Sequence, residues 1–471
     1  MNYPASELVI DPVLIRQYDV SGPRYTSYPT ADRFVEAFGE TQLRQWLTKR
    51  NIGGISQPLS VYVHLPFCES ICYYCGCNKV VTRDHGRSAK YIRYLERELE
   101  LLAPLLGSDT GICQLHWGGG TPTFLSRDEM STLMRTLDAR FKRSPDFECA
   151  IEVDPRHAPA GTLEFLASLG FNRVSLGVQD FDPDVQKAVH RIQPEEMTRR
   201  VVAEARANGF RSVNFDLIYG LPKQTLDSFN RTLDRVIELD PDRIALYSYA
   251  HLPTVFKPQR RIVSADLPSA ETKLQILTLA IGRLTRAGYL YIGMDHFARP
   301  DDELAIAQRQ GRLQRNFQGY STYPESDLIG LGVSAIGRIG PTYYQNEKRV
   351  DDYYARLDDY YAGLDEGRLP VARGLELGTD DLVRRAVIQA LACHFRLSIE
   401  SIEDAYLVNF RQYFAAEMKD LRRLQEEGLV DVTEEWISVT PRGRLLVRIV
   451  CMVFDRYLRE AQARANYSRV I

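Results

Sequence analysis

The chain has 471 residues, with 59 Lys and Arg against 62 Asp and Glu and a net charge of −3 at pH 7. That length accommodates one large barrel with one or two smaller pieces, and the dispersed, balanced charge excludes a nucleic-acid footprint. No apolar stretch approaches the ~18–20 residues of a membrane span, and the start, Met1-Asn-Tyr-Pro-Ala-Ser-Glu7, lacks a basic-then-apolar leader, so a cytoplasmic protein is expected.

The segment before residue 50 has no regular period. Its stretch Ser21-Gly-Pro-Arg-Tyr-Thr-Ser-Tyr-Pro-Thr30 reads as an irregular surface arm. From about 58 to 250, strand-like and helix-like segments alternate. Strands are predicted at 60–65, 113–117, 149–153, 173–178, 212–218 and 243–249. Helical patterns fall at 89–106, 127–141, 160–169, 195–208 and 225–239. Ser126 and Thr225 are N-cap candidates, and Gly170 and Asn208-Gly209 are candidate helix ends. This rhythm predicts an α/β fold: a parallel sheet of right-handed β/α units, curled into a partial or full barrel. A helix at 270–287 follows. Beyond about 370 the pattern is mainly helical, at 381–395 and 399–427, with a short hairpin at 428–432 and 436–439 and a last helix at about 441–463. Helices with a small hairpin resemble a winged-helix domain, expected here to serve packing or as a lid. The expected division is an arm over 1–52, a β/α barrel domain over 53–365 and a mainly helical C-terminal domain over 366–471.

After the first strand come Cys68, Cys72 and Cys75, in the order Cys-x3-Cys-x2-Cys. Three thiolates are one short of what a cubane [4Fe-4S] cluster needs, which leaves one iron open to chelate a small molecule and pass it an electron. Structural zinc usually takes two separated hooks, and no second hook exists here. A disulfide framework does not suit a long chain with few cysteines. Cys113, Cys149, Cys393 and Cys451 stand singly in apolar runs and read as small buried hydrophobes. Cys77, in Cys75-Gly-Cys77, leaves open a fourth ligand and a plain electron-transfer centre.

In β/α barrels the functional groups project from the C-terminal strand ends. Here those ends carry His64 and the cysteines, His116-Trp-Gly-Gly-Gly-Thr-Pro-Thr123, Glu152-Val-Asp154, Gly177-Val-Gln179-Asp180, Asp216 with Tyr219-Gly-Leu-Pro222, and Ala250-His251. The Gly118-Gly-Gly120 loop is neither a P-loop nor Gly-x-Gly-x-x-Gly. Its bare backbone can still approach the amino group of a ligand on the open iron. Tyr74 can pack against a flat base, and Glu152 is placed to accept hydrogen bonds from a ribose.

The run Cys68-x3-Cys72-x-Tyr74-Cys75, with a Gly-rich loop on the next strand, resembles the radical S-adenosylmethionine superfamily. Further runs resemble its oxygen-independent coproporphyrinogen III oxidase family. They are Pro23-Arg-Tyr-Thr-Ser-Tyr-Pro-Thr30, Tyr62-Val-His-Leu-Pro-Phe-Cys68, Cys75-Gly-Cys-Asn-Lys79, His116-Trp-Gly-Gly-Gly-Thr-Pro122, Asp216-Leu-Ile-Tyr-Gly-Leu-Pro222 and Gly293-Met-Asp-His-Phe-Ala298. The resemblance implies a [4Fe-4S] cluster on Cys68, Cys72 and Cys75, with Cys77 outside the ligand set, and two S-adenosylmethionine molecules. Tyr62, Gly119 and Glu152 would hold the first, with Tyr62 and Glu152 as catalytic-site residues. Tyr74, Gly120, Thr121, Gln179, Arg191, Asp216, Ala250 and Ile336 would hold the second. Position 74 is often Phe in the family, so Tyr74 is a mild departure. The implied reaction converts two propionates of coproporphyrinogen III to vinyl groups, giving protoporphyrinogen IX, with electrons from a flavodoxin or ferredoxin and the chain acting as a monomer. Arg24 and Arg299 are candidates for the substrate carboxylates. The rival reading is a haem-binding chaperone paralogue, which typically lacks the Cys77 equivalent and the N-terminal arm.

Overall fold

Seven parallel strands carry the architecture, and each expected strand is among them. They are β1 (Leu59–Leu65), β2 (Gly111–Gly119), β3 (Lys142–Val153), β4 (Arg173–Gln179), β5 (Ser212–Tyr219), β6 (Arg243–Ser248) and β7 (Asp327–Leu331). The structure, a computed structural model, describes residues 8–50, 59–107, 111–323, 326–348, 350–351, 354–355, 357–460 and 469–470. The strand order is β7-β1-β2-β3-β4-β5-β6, all parallel, so the expected barrel is a partial one. Beyond β7 the sheet continues antiparallel through β8 (Ile336–Ile339), β9 (Thr342–Asn346) and β10 (Val371–Glu376).

Strand register sorts the side chains onto two faces, because alternate residues point to opposite sides. One row reads Val63, Trp117, Ile151 and Val174 across β1 to β4. Another reads Val153, Leu176, Phe215 and Ile244 across β3 to β6. All eight side chains are buried, and each contributes roughly 1.5–3 kcal/mol by leaving water. The rows of opposite parity place Tyr62 beside His116, Glu152 beside Ser175 and Ser175 beside Asn214, with Asp216 two residues on. The same alternation that builds the core therefore gathers the polar groups on the other face.

The connecting helices begin where capping chemistry starts them. Ser126 and Thr225 each close a capping box, for Arg127–Asp138 and Leu226–Leu239. Gly170 and Gly209 take the left-handed conformation past helix ends. Cys113, Cys149, Cys393 and Cys451 are buried free thiols.

By contacts the chain groups into two units. One comprises Phe34–Ile276 and Glu325–Glu376, and holds all ten strands above; the other comprises Met1–Arg33, Leu277–Pro324 and Leu377–Ile471. In this second unit three sequence expectations are corrected. The stretch 21–30 is not a surface arm. Tyr25 and Tyr28 are buried; the Tyr25 hydroxyl donates to Asp455 at 3.0 Å, and Tyr28 accepts from Arg456 N–H. The pattern at 399–427 is broken into Ile399–Tyr406, Phe410–Tyr413 and Ala415–Glu426, because Leu407 turns left-handed and Asn409 caps a new turn. The last helix is likewise divided, into Val447–Val453 and Arg456–Glu460. Asp455 accepts from the Tyr457 and Leu458 N–H groups and starts afresh; residues 461–463 of that expectation lie outside the described ones. The hairpin is present as Val430–Val432 and Trp436–Val439, extended by Arg396–Ser398.

The β1–β7 pair is locked by a buried network. Tyr91, on the helix His85–Leu106, donates to the His64 carbonyl at 2.8 Å and accepts from Val333 N–H at 2.9 Å. Glu98, on the same helix, accepts from Gly332 N–H, Asn346 and Tyr360 at 2.7–2.8 Å. Burial pushes the Glu98 carboxyl up to about 7, against the pull of these three donors. An acid raised in the folded state gives stability that is complete below its unfolded value near 4.5 and is lost as pH rises through about 7. Glu98→Gln should therefore gain on the wild type as pH rises from 5 to 8, by up to about 3 kcal/mol. Urea denaturation at both pH values measures this, and a pH-independent difference would contradict it.

Candidate functional site

The cysteine loop leaves β1 and is pinched at its base. Phe67 and Cys68 pair with Val80 and Val81, and Val80 N–H and Thr82 N–H donate to the carbonyls of Pro66 and Cys68 at 2.7 and 2.9 Å. Inside the loop the buried Lys79 ammonium donates to the Cys75 and Cys77 carbonyls at 3.2 and 3.4 Å. His64 spans from Tyr62, 3.0 Å from its hydroxyl, to the Asn78 carbonyl at 3.0 Å.

The glycine loop after β2 runs against this loop and is fastened to it. Gly120 N–H donates to the Leu65 carbonyl at 2.8 Å, and Thr121 N–H to that of Phe67 at 2.7 Å. The approach leaves no room for a side chain. A Cβ at Gly120 would stand 2.6 Å from the Phe67 carbonyl oxygen, and one at Gly118 would stand 2.6 Å from Glu152 Oε1. Gly119, at φ +116°, faces the His64 ring, 2.6 Å from where its Cβ would lie.

A cavity of about 320 Å³ opens between the cysteine loop and the strand ends. Cys68, Cys72, Cys75 and Cys77 line it, as do Tyr74, Gly119, Gly120, Thr121, Glu152, Gln179, Arg191 and Asp216. Three expected residues lie elsewhere. Tyr62 stands behind it, its ring 5.8 Å from that of His116. Ala250 reaches it through Gln259, whose amide donates to the Ala250 and Tyr74 carbonyls. Ile336 opens β8, its backbone against Gly330. Arg24 is paired with Asp295 at 2.8 Å, and Arg299 donates to the Ala287 carbonyl; neither lines this cavity.

The wall is charged in a definite order. Asp154 pairs with Arg156 at 2.7 Å and Arg191 at 2.9 Å. Burial raises its carboxyl, but the Arg191 and Arg156 guanidiniums more than offset this and hold it well below the usual carboxylate range. Both arginines also point at Cys72, at 3.4 and 3.6 Å from its sulfur, and the Thr121 hydroxyl lies 3.5 Å from that of Cys68. Glu152 accepts from Gly119 N–H at 3.0 Å and meets His116 Nε2 at 3.3 Å. Burial works against its charge, yet His116 and that N–H keep the carboxyl below its ordinary value. Asp216 accepts from Ser175 and Asn214 at 2.9 and 3.0 Å. Burial, reinforced by the Glu152 charge, pushes it up to about 6. Gln179 closes β4 with φ +67°, a left-handed backbone at the register shift after Gly177.

Among the described residues, no three His, Cys, Asp or Glu side chains converge closely enough to hold a single metal ion. Cys68, Cys72 and Cys75 instead share the wall of one cavity, as a larger group such as an iron–sulfur cluster requires. N–H and O–H groups aimed at the sulfurs suit thiolate ligands and tune such a group. The residues present therefore fit a cluster better than zinc. Sequence reasoning found this constellation except Ser70, Arg156, Ser175 and Tyr247, which also line the cavity. Arg156 lies two residues past the noted Asp154, and only the turn after β3 brings it back onto that carboxylate.

Gly120→Ala should lower the affinity for the cluster about tenfold or more, read as iron and sulfide retained per chain after anaerobic reconstitution. Gly39→Ala, where the nearest atom is 4.0 Å away, should retain both. Equal retention in the two variants would contradict the close-approach account.

Residues 62–236 match the Radical SAM superfamily, and residues 377–446 match the HemN C-terminal domain family. The chain is 53% identical over 464 residues to an oxygen-independent coproporphyrinogen III oxidase of Pseudomonas aeruginosa, covering 98% of each chain. It is 50% identical over 461 residues to the protein of that name from Escherichia coli, again covering 98% of each. A solved structure described as coproporphyrinogen III oxidase (HemN) from Escherichia coli, a radical SAM enzyme, superposes with a TM-score of 0.90 at 50% identity, over 96% of this chain and 100% of that one. No helix among the described residues is long and apolar enough to cross a membrane. With this identity along nearly its whole length, the chain belongs to the oxygen-independent coproporphyrinogen III oxidase family of radical S-adenosylmethionine enzymes.

Proposed function

We propose that the chain converts two propionate side chains of coproporphyrinogen III to vinyl groups, giving protoporphyrinogen IX without oxygen. The observation that carries this reading is one cavity lined both by the cysteine loop, with Cys68, Cys72 and Cys75, and by carboxylates and an amide suited to a nucleoside, Glu152, Asp216 and Gln179, from the strand ends. The names of the curated relatives support it. When bound, the cluster supplies one electron that splits S-adenosylmethionine into methionine and a 5′-deoxyadenosyl radical. Each propionate would then lose a β-hydrogen atom to that radical, giving 5′-deoxyadenosine, then carbon dioxide, and one electron to an external one-electron acceptor, leaving a vinyl group.

The chain's own residues bind, orient and exclude water. Cys68, Cys72 and Cys75 hold the cluster, and Arg156, Arg191 and Thr121 direct donors at two of the three sulfurs. In the first S-adenosylmethionine site, Gly119 offers bare backbone, Glu152 accepts from the ribose hydroxyls and Tyr62 backs His64. Because His116 and Gly119 N–H hold the Glu152 carboxyl ionised, it accepts hydrogen bonds throughout the neutral range. Tyr74, Gly120, Thr121, Gln179, Arg191, Asp216, Ala250 and Ile336 form the second site in this reading; the first six line the cavity. A flavodoxin or ferredoxin supplies electrons to a monomeric, cytoplasmic enzyme.

The test is anaerobic reconstitution followed by incubation with S-adenosylmethionine, a chemical reductant and coproporphyrinogen III. Protoporphyrin (after oxidation) and 5′-deoxyadenosine should both form, and both should vanish in Cys68→Ala. Deoxyadenosine without protoporphyrin, accompanied by tight haem binding, would move the assignment to a haem-carrying relative. Equilibrium dialysis should count two S-adenosylmethionine molecules per chain. Binding of the second should weaken as pH falls below about 6, where Asp216 takes up a proton, and Asp216→Asn should remove that pH dependence. A single molecule per chain, bound independently of pH, would overturn the two-site reading.

A further inference from the structure

Outside the cavity, the larger unit presents a face whose composition the reaction chemistry leaves unexplained. Residues 251–265, which follow β6, include Lys257, Arg260 and Arg261 and no Asp or Glu, on a chain of net charge −3. The same segment exposes Leu252, Val255 and Val263, at 41%, 66% and 60% of their surface. Large apolar side chains gathered in one short segment, rimmed by charge, mark an interaction surface.

The segment packs against the cysteine loop. Gln259 donates to the Tyr74 carbonyl at 3.0 Å. The Arg261 guanidinium stands 5.4 Å from the Tyr73 ring centroid, and a Cβ at Gly76 would be 3.0 Å from the Phe256 ring. The Tyr73 ring also stacks on His190, with centroids 5.0 Å apart. Beside Arg261 is a surface cavity of about 280 Å³, to which Lys187, Lys223 and Val263 contribute, with Asp184 and Asp266 as its anions.

We propose that this face docks a small acidic one-electron donor protein of the flavodoxin or ferredoxin class, bringing its redox group next to the cysteine loop. The proposal rests on the function above, which consumes one electron for every S-adenosylmethionine split. Arg260, Arg261, Lys187 and Lys223 steer an acidic partner, and the exposed Val255 and Val263 offer apolar surface that a docked complex desolvates. Because the segment itself packs on Tyr73, Tyr74 and Gly76, a partner docked on it lies next to the loop that carries the cysteines.

The test uses the full chain with its cluster reconstituted and a reduced flavodoxin as probe. Two variants are made: the double variant Lys187→Glu with Arg261→Glu, and Val255→Ser. Flavodoxin affinity is measured by surface plasmon resonance at two salt concentrations, and S-adenosylmethionine cleavage is driven either by flavodoxin or by dithionite. Charge reversal should weaken flavodoxin binding about tenfold and flatten its salt dependence. Val255→Ser should weaken binding with the salt dependence intact. Dithionite-driven cleavage should stay at the wild-type rate in both. Unchanged affinity in both variants would overturn the proposal, as would an equal loss of dithionite- and flavodoxin-driven cleavage. Weakened binding in a protein whose wild type cleaves nothing with either reductant would uphold the surface and sink the function on which it rests.

Discussion

Everything at the site depends on how closely two loops approach each other. The backbone of Gly118–Gly120 passes within hydrogen-bonding distance of the β1 exit, and the N–H groups of Gly120 and Thr121 fasten onto the Leu65 and Phe67 carbonyls. Those carbonyls belong to the residues that lead into Cys68. One pair of backbone bonds thus sets the position of the first cysteine relative to the glycine loop. Side chains are excluded from all three glycines by Glu152, His64 and the Pro66–Phe67 peptide. The parallel register of β1, β2 and β3 brings these groups to a common level, which is why the site sits at the C-terminal edge of the sheet.

Charge balance is the second constraint. Cysteines and carboxylates crowd one cavity, whose lining also holds the cations Arg191, Arg156 and Lys79. Asp154 links two of them into a fixed array. A buried ion pair of this kind is weak evidence for stability, because desolvation offsets most of its attraction. Its value here is geometric: it aims two guanidiniums at Cys72. Asp216 and Glu152 share a face with different consequences. Glu152 stays ionised through its His116 and backbone partners, whereas Asp216, burdened by burial and by the Glu152 charge, titrates near 6.

Much of this was legible in the sequence, for identifiable reasons. Alternating β/α segments and strong caps at Ser126 and Thr225 marked the six strands and the helices between them. The strand-end rule then gathered His116, Glu152, Gln179 and Asp216 from distant positions. The seventh strand, Asp327–Leu331, was not legible. It is five residues long with a glycine inside, and its parallel partner β1 lies more than 250 residues earlier. Arg156 escaped because nothing local announces that a turn will fold it back onto Asp154. The Ser21–Thr30 stretch looked like surface because prolines and polar residues suggest it. Its buried tyrosines hydrogen-bond to Asp455 and Arg456, 428–430 residues away in sequence. The contact-based units also interleave the chain, since Leu277–Pro324 groups with both ends of the sequence, an arrangement that composition along the chain does not reveal.

The central claim is that three cysteines hold a cluster with one iron left open, and that Cys77, although it lines the same cavity, is not the fourth ligand. The most direct measurement is the EPR spectrum of the reduced, reconstituted protein, wild type and Cys77→Ser, with and without S-adenosylmethionine. The account predicts that S-adenosylmethionine shifts the cluster signal in both proteins. A spectrum indifferent to S-adenosylmethionine in the wild type, with loss of the cluster in Cys77→Ser, would show four cysteines closing the site and would contradict it.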